Sequence, residues 1–252
     1  MDDAARALPT DVSPTRAEMG RRAAAHVVGL LRATLAAQAR ARVVFACAPS
    51  QDEFLAELLR QSVGRIDWSR VDAFHMDEYI GLGADHPASF RTYLRARFMD
   101  HVRIGSWSQL RGEAVDPLAE ARRYAALLAA APIDLICLGI GENGHIAFND
   151  PPVADFEDPQ RVKVVELDHA CRQQQVNDGC FPSLAQVPTH ALSLTIPVFR
   201  EAKQLSVVVP GPRKAAAVAA TLTGPISTTC PASILRTHPS ARLFLDHASA
   251  GS

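Results

Sequence analysis

Two segments of this chain carry side chains able to move protons. In Phe74-His-Met-Asp-Glu-Tyr79 an apolar run closes on Asp77 and Glu78. In the stretch 134–151 an apolar run ends in Gly139-Ile-Gly141 and then presents His145 and, five residues on, Asp150. A carboxylate at a strand end, partly withdrawn from water, can abstract a proton beside a carbonyl. An imidazole oriented by a carboxylate serves as acid or base near neutral pH. Gly141 and Gly144 permit tight turns and a close approach of backbone to ligand. A third segment, Pro210-Gly-Pro-Arg-Lys214, leads into an alanine-rich run. Helix-start N–H groups there, with Arg213 and Lys214, can hold an anion. Each segment also has a plainer reading: acids capping the next element, a histidine on a solvent-facing turn, two surface cations. His75 and Asp77 have metal-ligand spacing but no convincing third ligand.

Such residues need a frame. Pro14, with Thr15 and Glu18 at capping-box spacing, starts a helix near residue 13. Met19, Ala23, Val27, Leu31 and Leu35 then give it one buried stripe. Short apolar runs predict strands at 42–47, 71–77, 133–140, 161–167, 190–196, 204–210 and 241–246. Helical patterns fall at 52–60, 88–99, 116–131 and 212–222. This alternation predicts a three-layer α/β/α sandwich with a mainly parallel, Rossmann-like central sheet. Ligands of such sheets bind at the carboxyl ends of the strands. Strand alternation puts Asp77 on the side of His75, opposite Met76 and Glu78. Residues 1–12 read as a flexible tail and 13–252 as a single domain.

With 252 residues, 48% of them apolar, the chain can bury one sizeable core. Lys+Arg is 26 against Asp+Glu 27, with no basic run, which argues against a nucleic-acid partner. Five cysteines without a CxxC pair argue against a zinc or redox motif and for reduced thiols in the cytoplasm. The acidic amino terminus lacks a secretory apolar region, and no 18-residue apolar run is present, so no membrane span is expected.

The segments Phe74-His-Met-Asp-Glu-Tyr-Ile-Gly-Leu82 and Leu138-Gly-Ile-Gly-Glu-Asn-Gly-His-Ile-Ala-Phe-Asn149, with Lys214, resemble the glucosamine-6-phosphate deaminase/isomerase family. His86–Phe90 and Ala232–Pro239 add to the resemblance, which spans roughly residues 40–246. That family is related more distantly to 6-phosphogluconolactonases. The resemblance implies an aldose–ketose isomerisation with loss of ammonia, acting on a 2-amino-2-deoxyhexose 6-phosphate, glucosamine 6-phosphate foremost. It implies no metal and no organic cofactor, a small sugar as partner, and a homo-oligomer as one possible assembly. Asp77 matches the base that moves a proton between C1 and C2. His145 matches the group that assists ring opening. Asp150 stands where the family usually has a glutamate orienting that histidine. Asn143 can hydrogen-bond the imidazole. Ser50, Gln51, Glu78, Gly141, Gly144, Arg172 and Lys214 are the expected substrate contacts.

The anion end departs from the family pattern. The turn after the first strand, Ala48-Pro-Ser-Gln-Asp-Glu53, has no glycine and brings two acids. Like charges ~4 Å apart at an effective dielectric of about 20 repel by about 4 kcal/mol. The family's phosphate arginine is replaced by Asn177, with Arg172 as a candidate substitute. The need for a phosphorylated substrate is therefore open. Two other readings of the chain are a sugar lactonase, whose histidine activates water, and a non-catalytic sugar-binding regulatory module.

Overall fold

The computed structural model describes residues 6–251. Its strands are β1 (Thr10–Ser13), β2 (Ala41–Phe45), β3 (Val71–His75), β4 (Asp77–Tyr79), β5 (Ser106–Trp107), β6 (Leu135–Leu138), β7 (Val162–Glu166), β8 (His190–Leu194), β9 (Leu205–Val209) and β10 (Ala241–Asp246). Its helices are α1 (Arg16–Ala37), α2 (Asp52–Ser62), α3 (Phe90–Arg97), α4 (Pro117–Ala129), α5 (His169–Asn177), α6 (Ile196–Glu201), α7 (Ala215–Thr223) and α8 (His247–Ala250).

Seven strands form one sheet in the order β1-β10-β9-β6-β2-β3-β5, and every neighbouring pair is parallel. A parallel sheet covered on both faces needs apolar residues on both, and β9 is buried along its whole length. Val43 and Phe45 pack with Met19 and Leu31 of α1 and Phe54 of α2. Val44 and Ile136 point the other way, onto Tyr124 and Leu128 of α4. Successive strand residues thus build the two cores of a three-layer sandwich. Thr15 caps α1 by accepting from the Glu18 N–H at 3.2 Å. The Glu18 side chain does not close the capping box; it pairs with Arg21 and Arg22.

The expected tail over residues 1–12 needs correction. Residues 1–5 lie outside the described part, but Leu8 is buried and Thr10–Ser13 pair with Leu243–Asp246 as the edge strand. The segment lacked an apolar pattern because an edge strand of four residues buries little of itself.

A second correction concerns residues 71–77. They do not run as one strand. The chain leaves the main sheet after His75 and enters a second sheet, antiparallel and ordered β4-β8-β7. The turning point is fixed by the Leu194 N–H, which donates to the Met76 carbonyl at 2.8 Å. Asp77 therefore does not share a strand face with His75, whose ring is buried and accepts from the Leu110 N–H at 2.8 Å. The expected strands at 161–167 and 190–196 exist, but as members of this small sheet.

The crossover from β2 leads outward to β3, and the one from β6 leads the opposite way to β9. The carboxyl ends of the adjacent β2 and β6 therefore open a crevice at a topological switch point.

Candidate active site

The crevice collects residues from four strand ends and loops. Ser50 and Gln51 follow β2, Asp77 begins β4, Gly141 and His145 follow β6, and Lys214 follows β9; all line one pocket. Asp77 is only 7% exposed. Burial holds its carboxyl well above the usual carboxylate range, and the charge of Glu78 adds to the effect.

His145 sits on a loop that is tied down at several points. Its carbonyl accepts from the Gly141 N–H at 2.9 Å, and its own N–H donates to Asn143 Oδ1 at 3.1 Å. Asn149 Nδ2 donates to the Ile146 and Leu194 carbonyls, and the Phe148 N–H donates to Ser193 Oγ. The tight path between His145 and Asp150 puts Ala147 at φ 51°, in the left-handed region a β-carbon disfavours. The result is a contact of 2.8 Å between His145 Nδ1 and Asp150 Oδ1. The shorter acid thus reaches the ring directly. Burial pushes the Asp150 carboxyl up, but the facing His145 and hydrogen bonds from His145 and Asn143 outweigh it and hold the group below its ordinary value. Asn143 does not bond the imidazole as expected; its Nδ2 donates to Asp150 Oδ1 at 2.9 Å and so aims the carboxylate.

At the anion end, Asp52 and Glu53 turn away from the pocket. Asp52 accepts from Tyr93 Oη at 2.8 Å and Arg97 Nε at 3.1 Å, and Glu53 pairs with Arg16 at 2.8 Å. The repulsion anticipated for a bound anion is relieved by these partners. Gln51 Nε2 donates to the Val208 carbonyl and Ser50 Oγ, which leaves its buried Oε1 without a partner. Lys214 is 6% exposed, and burial lowers its pKa against the opposing charges of Asp178 and Glu142. Arg213 is held away in ion pairs with Glu142 and Asp178.

Three expected substrate contacts are elsewhere. Arg172 Nη2 donates to the Leu184 and Val187 carbonyls and braces the loop after α5. Gly144, at φ 85°, makes a turn against Cys230, whose Sγ would lie 2.7 Å from an added Cβ. Glu78 is fully buried and accepts from Ser89 Oγ, the Phe90 and Arg91 N–H groups and Arg91 Nε, so it clamps the start of α3. Its partner Arg91 is itself only 2% exposed. Arg91 keeps a second partner in Glu113 at 2.7 Å, so Glu78→Ala leaves buried donors unsatisfied without stranding the charge, and it is expected to cost about 1–3 kcal/mol of unfolding free energy in denaturant titrations. Gln174 and Gln175 of α5 line the pocket and were missed. The Gln173-Gln-Gln175 run was visible, but no apolar periodicity announced α5 there, and amides alone do not show which way they face.

Fold and crevice together define a parallel α/β protein equipped for acid–base chemistry on a small polar molecule. The chain belongs to the family of glucosamine-6-phosphate isomerases/6-phosphogluconolactonase, whose model matches residues 14–244. It is 38% identical over 185 residues to a glucosamine-6-phosphate deaminase of an Exiguobacterium species, covering 73% of this chain and 71% of that protein. The Bacillus cytotoxicus glucosamine-6-phosphate deaminase is 37% identical over 182 residues, covering 72% and 68%. A solved monomeric glucosamine-6-phosphate deaminase superposes with a TM-score of 0.88 at 30% identity, covering 97% of this chain and 99% of that one. The Trypanosoma brucei 6-phosphogluconolactonase shares the fold, with a TM-score of 0.78 at 18% identity over 97% and 98% of the two chains.

Proposed function

We propose that this protein is an amino-sugar-phosphate deaminase/isomerase that converts glucosamine 6-phosphate to a ketohexose 6-phosphate and ammonia. The carrying observation is that Asp77 and His145 line one pocket, with Asp150 against the imidazole, although their elements belong to different sheets and loops. In this reading His145 passes a proton to the ring oxygen as the hexosamine opens. Asp77 then takes the proton from C2 and returns it to C1. The C2 imine so formed adds water and expels ammonia. Buried carboxylates are stronger bases than free ones, which suits proton abstraction from carbon. The site acts in the cytoplasm, where the five unpaired cysteines stay reduced. No helix among the described residues is long and apolar enough to cross a membrane. Ammonia release with glucosamine 6-phosphate, together with appearance of the ketose, tests the proposal; ligand binding without turnover on any amino sugar would overturn it.

A second reading, an unphosphorylated hexosamine as substrate, is favoured by the anion end. Arg213 is neutralised by two acids, and the open Gln51 Oε1 invites a hydroxyl donor. Lys214 then decides between the readings. If it holds a phosphate, Lys214→Gln raises KM for glucosamine 6-phosphate roughly 10–100-fold, the worth of a hydrogen bond to a charged group. Turnover of free glucosamine equal to or above that of the phosphate ester would establish the unphosphorylated substrate instead.

A further inference from the structure

Among the described residues, one cluster brings together an imidazole, a carboxylate and a thiol: His145, Asp150 and Cys171, all buried, with one donor atom from each within 4.8 Å of the others. Cys171 was not among the residues singled out in the sequence. It comes to the cluster on α5, whose first turn is fixed by the Asp168 carboxylate accepting from the Cys171 N–H at 2.6 Å. His145 Nδ1 faces Asp150 Oδ1 at 2.8 Å in a poorly aligned contact, and the Cys171 thiol hydrogen-bonds the Asp150 carboxylate, so the three groups already touch one another.

We propose that His145, Asp150 and Cys171 form a binding site for a thiophilic divalent cation of the zinc type, and that an ion there switches off the acid–base pair. One nitrogen, one oxygen and one sulfur match the ligand preferences of zinc, and three protein ligands with an open fourth position make a tetrahedral site. Of the three ligands His145 lines the pocket, so an ion, and the water or sugar hydroxyl that would complete its shell, would reach the cluster past the imidazole. Asn143 Nδ2, donating to Asp150 Oδ1, supplies the outer partner that orients a ligating carboxylate. Binding expels the thiol proton; thiolate and carboxylate then balance the two charges of the ion. Burial and the neighbouring Asp150 disfavour a bare thiolate here, so the thiol keeps its proton until a cation arrives. An ion held by Nδ1 and Asp150 removes the carboxylate from the ring and leaves no proton to shuttle there. The inhibitory half of the proposal rests on the proposed function; the binding half does not.

Cobalt titration of the intact protein reads the binding. A thiolate-to-cobalt charge-transfer band in the near ultraviolet is expected in wild type, reversed by added zinc and lost in Cys171→Ser, which keeps a hydroxyl beside Asp150. In parallel, the zinc concentration that halves ammonia release should rise roughly 100-fold or more in Cys171→Ser. No band in wild type at saturating cobalt overturns the site, whether or not the variant folds. So does a band that survives Cys171→Ser, or equal zinc sensitivity in the two proteins. A band in a protein that turns over no amino sugar would sink the proposed reaction and leave the metal site standing.

Discussion

Asp77→Asn is expected to lower kcat roughly 10²–10⁴-fold, the span associated with loss of a positioned general base. Asparagine has nearly the same shape, so sugar binding by calorimetry should change little. The reason is specific to Asp77: no described side chain donates to its carboxylate, and only burial and the charge of Glu78 act on it. Nothing but the substrate is left to receive its proton traffic. Because that carboxyl titrates above its ordinary value, kcat/KM should rise with pH along a limb centred above the usual carboxylate range of about 4, and the variant should lose that limb. The sign for stability runs the opposite way from activity. A folded-state pKa raised above the unfolded one means that the native protein holds its proton more tightly, so stability falls as pH climbs through that window. Desolvation of this carboxyl burdens the fold above the ordinary carboxylate range, so at neutral pH Asp77→Asn should melt at a higher temperature than wild type. A variant both active and no more stable would refute the assignment of a desolvated base.

Gly141→Ala is expected to cost about 10²-fold in kcat, the scale set by an ångström's misplacement of a reacting group. A β-carbon at residue 141 would lie 2.2–2.4 Å from Cε1, Nε2 and Nδ1 of His145, so the ring must move. Its 2.8 Å contact with Asp150 cannot survive that movement unchanged. The backbone at residue 141 is not in the left-handed region, so the loss would come from the displaced imidazole and not from a strained chain. Ammonia-release kinetics beside a circular dichroism spectrum separate the two; wild-type turnover would show that the ring's position does not matter.

Much of the site was legible because its residues are local in sequence. The apolar run before Gly139 announced a buried strand, and a step of five positions from His145 to Asp150 proved a workable distance for one turn. Thr15 was readable as a cap for the same reason. What failed depended on partners far along the chain. Alternation over 71–77 assumed one continuous strand, but the chain changes sheets at Met76 because β8, more than a hundred residues later, supplies the hydrogen bonds. Glu78 looked like a second acid for the substrate; its buried partner Arg91 is thirteen residues away and nothing in the spacing marks the pair. Arg172 looked free for an anion, but its long side chain reaches backbone carbonyls of a loop that no periodicity reveals. Cys171 drew no notice because the stretch around it reads as loop and it has no CxxC partner.

The small antiparallel sheet has a bearing on how the working parts keep their spacing. Ser193 stands opposite Asp77 and also receives the Phe148 N–H, while Leu194 receives Asn149 and donates to Met76. Two adjacent residues of β8 therefore act as a common ruler for the base and for the histidine's loop. When that strand breathes, both groups travel with it, and the gap between them stays the same even as the floor beneath the sugar shifts.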